Sequence, residues 1–120
     1  MHPFPPIEEL QCFVGDAIAQ IWLDPWAVQF TFESRRRLVA EQRIEQIEPD
    51  GTLWTYDCKA ADGAPIVLQR LLYRPIVGVE REDPRLSFQI DNGSTLTVLS
   101  ELGPYESGHI ETAERDIIVF

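Results

Sequence analysis

Along residues 26–33, "WAVQFTFE", apolar and polar side chains alternate: Trp26, Val28, Phe30 and Phe32 fall on one side, Ala27, Gln29, Thr31 and Glu33 on the other. A period of two is that of a strand with one buried face. The preceding "DAIAQIWL" is apolar and stops at Asp24-Pro25, because proline cannot donate to a central ladder. After the polar turn "SRRR", "LVAEQRI" is expected as a third strand. Pro49-Asp50-Gly51 predicts a turn, since glycine tolerates φ > 0, and "TLWTYDC" a short strand beyond it. The second half repeats this texture. "IVGVERE" and Asp83-Pro84 lead into "RLSFQI", with Leu86, Phe88 and Ile90 inward, and "TLTVLS" returns with Leu96 and Val98 on the same core. Asn92-Gly93 between them predicts a hairpin of type I′, which needs φ > 0 twice. The final "DIIVF" is β-prone and is expected to pair as a strand, in its own sheet or across a two-fold axis.

One segment breaks the pattern. "APIVLQRLLYR" predicts a helix: Pro65 suits a first turn, Ile66, Leu68, Leu71 and Leu72 form one stripe, and Pro75 ends it. Pro3, Pro5 and Pro6 make the opening an extended lead-in. The expected fold is therefore a single domain over residues 1–120, β-rich α+β. It has about eight short antiparallel strands in two meanders, with one helix near 64–74. The division is a lead-in at 1–14, a first meander at 15–44, a connector with the helix at 45–74 and a second meander at 75–120. The alternative is an all-β sandwich or barrel in which that helix is only a turn. Phe30 and Phe88, Leu38 and Leu96, and Ile18 and Ile76 are each 58 residues apart, and the arginine turn falls on the Asn-Gly turn. Meanders share such spacing for physical reasons, so this reads as two similar β units joined by a helix.

Charge narrows the function classes. The 120 residues carry 20 acids and 10 bases, a net charge of −10. Such a field repels phosphate backbones, so no nucleic-acid partner is expected. Arg35, Arg36 and Arg37 run together between Glu33 and Glu41 and read as a solvated turn. The acids at Glu41, Glu45, Glu48 and Asp50, and those at Glu80, Glu82 and Asp83, are the candidate contacts for a basic protein, since they fall at strand ends and loops. No run of ~20 apolar residues predicts a membrane span. The opening "MHPFPPIEEL" does not read as a secretory leader, and Cys12 and Cys58 have no scaffold spacing. Reduced thiols, a cytoplasmic setting and a monomer or homodimer are the expectations.

Candidate chemistry concentrates in "GPYESGHIE". Alternation after Gly103-Pro104 puts Tyr105, Ser107 and His109 on one face, and Asp116 completes a Ser-His-Asp set on paper. No G-x-S-x-G elbow surrounds Ser107, so these residues are expected to be structural and no catalytic residue is assigned. His2 and His109 have no second ligand at a recognised spacing, and no acidic run has the calcium-loop pattern, so neither metal nor cofactor is expected. No glycine-rich loop precedes a helix to cradle a phosphate. Trp22, Trp26 and Trp54 are the candidates for a ligand pocket, although tryptophans of a small β domain are more often core.

The run "FQIDNGSTLTV…GPYESGHI" resembles a loosely defined group of small bacterial proteins of unknown function. In these a strand, an N-G or D-G turn and a returning strand precede Tyr-Glu-Ser or Tyr-Glu-Ala. The matching residues are Phe88, Ile90, Asn92, Gly93, Leu96, Tyr105, Glu106 and Ser107. The resemblance implies a compact β-rich fold without established activity, some members being immunity-protein-like. The expected function is a non-catalytic interaction module, an immunity-type antagonist of a basic partner. The alternatives are a small-molecule binder with a tryptophan-lined pocket and a hydrolase using Ser107 and His109.

Overall fold

The computed structural model describes residues 3–63, 66–100 and 107–120. It contains a helical turn α1 (Ile7–Leu10), a 3-10 turn (Gln11–Phe13) and the strands β1 (Ile18–Leu23), β2 (Val28–Phe32), β3 (Arg37–Ala40), β4 (Arg43–Ile47), β5 (Leu53–Asp57) and β6 (Asp62–Gly63). A second 3-10 turn (Leu68–Leu71) leads to β7 (Ile76–Glu82), β8 (Arg85–Ile90), β9 (Thr95–Leu99), β10 (Gly108–Glu111) and β11 (Ile117–Val119). The strands form two antiparallel sheets, ordered β1-β2-β3-β10-β11 and β6-β5-β4-β9-β8-β7.

Alternation places the core as expected: Val28, Phe30 and Phe32, then Leu86, Phe88 and Ile90, and Leu96 and Val98 are all buried. They join one cluster that both sheets enclose. At its centre the ring of Phe13 lies 4.9 Å from Phe32 and 5.3 Å from Phe88. The chain end is held too, for β11 pairs with β10 in its own sheet and Phe120 stacks 4.8 Å from Phe4.

The sheets are built by exchange. "LVAEQRI" is not one strand: β3 and β4 part at Glu41–Gln42 and enter different sheets. Each three-stranded meander therefore takes its remaining long strands from the other half, β10-β11 beside β3 and β4-β5 beside β9. Register makes the halves equivalent. Ile18↔Phe32 steps by a bulge to Gln20↔Thr31, and Ile76↔Ile90 steps by the same bulge to Gly78↔Gln89, every member 58 residues on. Phe30↔Leu38 recurs as Phe88↔Leu96. Gln46↔Trp54 recurs as Ile110↔Ile118 at a separation of 64. Between the halves, Gly15 N–H donates to the Ile76 carbonyl and Tyr73 N–H to the Ile18 carbonyl, both at 2.8 Å. Gly15 and Tyr73, like Ile18 and Ile76, are counterparts, so these bonds are one interaction seen from two sides. Ala17 bridges its own counterpart Pro75, which places that bridge on a pseudo-two-fold axis. Shared meander spacing does not account for a common bulge and these reciprocal bonds, so the two units repeat one five-stranded plan.

The helix expected near 64–74 is not formed over its described residues. Only Leu68–Leu71 turn, in a 3-10 conformation, because Tyr73 N–H and a bridge from Leu72 to Ile18 draw the chain into an extended path. Residues 64 and 65 lie outside the described residues. The described residues form eleven strands where about eight were expected, mainly because "LVAEQRI" divides into β3 and β4 and the short β6 is added. The lead-in is likewise not wholly extended: Pro6 starts α1, where a missing N–H does no harm. Asn92-Gly93 is not a type I′ turn, for Gly93 is at φ 91° while Asn92 is not in the left-handed region.

Candidate functional site

The β1–β2 hairpin carries the most exposed aromatic surface of the described residues. Its turn is fixed locally: Asp24 N–H donates to the Ala27 carbonyl, and Gln29 Nε2 donates to Asp24 Oδ2 at 2.6 Å. Pro25 ends the ladder there, and the tip projects past the core. Trp22 is 56% exposed, Leu23 66% and Trp26 73%. Trp26 thus leaves the buried face that alternation gave it, because it lies in the turn ahead of β2. β1 is also a sheet edge. Between its inward face and the segment before β7 runs a groove of about 260 Å³, lined by the side chains of Ile21, Leu23, Ile66, Leu68, Gln69 and Leu72, all but one of them aliphatic.

The three tryptophans do not share a pocket. Trp54 is on β5 in the other sheet, where its Nε1 donates to Glu48 Oε2 at 2.8 Å. Glu48 also pairs with the Arg70 guanidinium, and Gln46 Nε2 donates to the Val67 carbonyl at 3.0 Å. Asn92 Nδ2 donates to the Arg70 carbonyl. These bonds pin the 67–70 segment across the second sheet and the β8–β9 turn.

The candidate acids are scattered rather than gathered. Glu48 is buried within that network. Glu45 on β4 receives a two-pronged bond from Arg85, at 2.6 and 3.2 Å, which raises the Arg85 pKa above its ordinary value. Asp83 pairs with Arg81 at 2.9 Å. Asp50 accepts from Thr52 N–H, which holds its carboxyl below the usual range. Glu80 and Glu82 are exposed on β7, and Glu41 is half-buried beside β3. The arginine turn is not simply solvated: Arg36 lies 3.5 Å from Asp16 and over the Phe13 ring, and Arg37 lies 3.7 Å from Glu111.

Ser107 is 0% exposed, held where its N–H donates to the Phe120 carbonyl and its carbonyl accepts from Glu41 N–H. His109 follows on β10, opposite Val39 and Val119, and Asp116 is exposed at the β10–β11 turn with its N–H on Thr112 Oγ1. Tyr105 and Glu106 lie outside the described residues. Cys12 is exposed and Cys58 buried, both free. Burial, with Asp57 adding its charge, pushes the Cys58 thiol up to about 12. Among the described residues no three His, Cys, Asp or Glu side chains gather to hold a metal, and no helix is long and apolar enough to cross a membrane.

Compared with known proteins, the chain matches no family model, no curated sequence and no solved structure. The groove is the feature that residue reading passed over. A signal for it existed: "LQ" at 10–11 recurs as "LQ" at 68–69, extending the 58-residue offset into the segments that flank β7 and β1.

Proposed function

We propose that this chain is a non-catalytic interaction module that binds a protein with a basic face, in the manner of an immunity-type antagonist. The observation that carries the reading is the exposed tip of the β1–β2 hairpin. Tryptophan supplies large contact area and dominates the binding energy of many interfaces when it is desolvated there. The chain holds Trp22, Leu23 and Trp26 in water on a turn tied by Asp24 and Gln29, so the surface is ordered before any partner arrives. The net charge of −10 adds steering toward a basic partner.

The competing readings have less support. A nucleophile must meet its substrate, and Ser107 is buried beneath backbone bonds to Phe120 and Glu41. For a small-molecule site, 260 Å³ falls below the roughly 300–1,000 Å³ of ligand pockets, and Gln69 is its one polar lining side chain.

The test is capture of a partner from the native host, followed by binding kinetics. Trp26→Ala is expected to weaken binding at least tenfold. Neutralising Glu80, Glu82 and Asp83 together is expected to slow association several-fold at low salt and far less at high salt, because screening shortens the field's range. An acidic partner, or affinity indifferent to Trp26, would overturn the reading.

A further inference from the structure

The groove beside β1 is the counterpart of a site that the chain fills for itself. The pseudo-two-fold places β1 on β7 and residues 66–72 on 8–14. On the β7 side the N-terminal arm closes the site. Phe4 is buried, its carbonyl accepts from Arg81 Nε and a terminal Arg81 nitrogen at 3.2 and 3.0 Å, and both α1 and its following 3-10 turn pack on β7. Val79 is buried as a result. On the β1 side Ile66 and Val67, counterparts of Glu8 and Glu9 in α1, are not helical, and only the 3-10 turn packs on β1. Ile21, the counterpart of Val79, is only partly buried, and Leu23, the counterpart of Arg81, stands in water. Where Ile66 and Val67 run without helical structure, a cavity of about 260 Å³ remains beside them. At about 30 Å³ per water-sized group, that is room for two aliphatic side chains.

We propose that this groove takes one helical turn of a partner protein, carrying two aliphatic side chains three residues apart with basic residues at the two positions between them, seated on β1 as Ile7–Leu10 is seated on β7. The inference rests on the interaction-module reading and names the site and the ligand. Spacing follows from α1, whose Ile7 and Leu10 lie three apart and share a face. The lip differs from that of β7 in one instructive way: Leu23 replaces Arg81, so the occupant is gripped by apolar contact rather than by a guanidinium on its carbonyl. Charge decides between a foreign partner and a second copy. A second copy brings another net charge of −10 and is repelled by the field of the whole chain, whereas a turn bearing basic residues is attracted.

The probe is a capped peptide copying residues 3–10 of this chain with Glu8→Lys and Glu9→Lys, titrated into the isotope-labelled full chain. Amide shifts are expected at Ile21, Leu23, Leu68 and Leu72. Leu23→Glu, a change at an exposed position that leaves folding intact, is expected to weaken the peptide at least tenfold. The same peptide with its glutamates retained is expected to bind several-fold more weakly at low salt. Absence of shifts, shifts centred instead on Val79 and Arg81, or equal affinity for the Leu23→Glu chain would overturn the proposal. So would a concentration-dependent dimer that Leu23→Glu dissolves, since the occupant would then be a second copy. A captured partner that loses affinity with Trp26→Ala but not with Leu23→Glu would sink the groove and leave the module reading standing. A partner indifferent to both would remove both.

Discussion

Arg35 and Gly93 hold the same place in two copies of one turn, with backbone φ of 77° and 91°. Arg35 N–H donates to the Phe32 carbonyl as Gly93 N–H donates to that of Ile90. Ser34 Oγ accepts from Arg36 N–H as Asn92 Oδ1 accepts from Ser94 N–H. A left-handed backbone crowds the Cβ of an L-residue, a strain of roughly 1–2 kcal/mol, and only one copy of the turn avoids it. Arg35→Gly is therefore expected to stabilise the fold by about 0.5–1 kcal/mol after glycine's extra chain entropy is subtracted. Gly93→Ala is expected to destabilise it by about 1 kcal/mol. Urea unfolding at constant m-value checks both, and a loss of stability in Arg35→Gly would refute the argument.

Alkaline stability should report Cys58. Its thiol ionises near 9.0 in the unfolded chain and only at about 12 in the folded one. Below the lower value both states keep the proton, and the contribution is fully present. Above it the unfolded state releases the proton first, so stability falls by about 1.4 kcal/mol per pH unit as pH rises toward the folded value. Cys58→Ala should flatten this part of the profile relative to the parent. At pH 8 a thiol reagent should titrate Cys12 in the native chain and both cysteines after unfolding.

Phe120 closes the core against Phe4, and Ser107 N–H rests on its carbonyl. Phe120→Ala is expected to cost about 3–5 kcal/mol through lost burial and the cavity left behind. Removing residues 117–120 should be worse, because β10 loses its partner strand and exposes an edge. An unchanged melting temperature after that deletion would contradict the packing described.

Gly108 has no room for a side chain: an added Cβ would sit 2.1 Å from the Val39 carbonyl oxygen and 2.7 Å from the Phe120 ring. Backbone cannot yield as a flexible side chain does. Gly108→Ala is expected to destabilise by about 1–3 kcal/mol, whereas His109→Ala, half-exposed next to it, should change stability only slightly.

Glu48 should separate structure from binding among the acids. Its carboxylate serves Trp54 Nε1 and Arg70 within the fold. Glu48→Ala is expected to lose about 1–3 kcal/mol of stability by leaving the indole N–H without its acceptor. Glu80→Gln and Glu82→Gln, exposed on β7, should leave thermal unfolding unchanged. The reverse ranking would mean that Glu48 is a surface contact after all.

The strands, their inward faces and most turns were determined by the sequence itself. Alternation is a local property: Phe30 and Phe88 point inward because their neighbours on either side are polar, whichever strand lies beside them. The repeat was also present as three identities at one spacing, but its meaning was not. Only pairing across the molecule made it a plan, through a bulge shared at Ile18 and Ile76 and a bridge between Ala17 and its own counterpart. Tertiary structure decided the rest. β3 and β4 read as one strand because Ala40 and Ile44 both carry core side chains; they part at Glu41–Gln42 because β3 finds β10 and β4 finds β9, partners far along the chain. Leu68, Leu71 and Leu72 suited a helical stripe, yet the Ile18 carbonyl outbid a further helical turn by accepting from Tyr73 N–H. The groove beside β1 follows from that choice. Its side chains are apolar in sequence like any core position, and whether a core position is covered depends on what the opposite half of the fold lays across it.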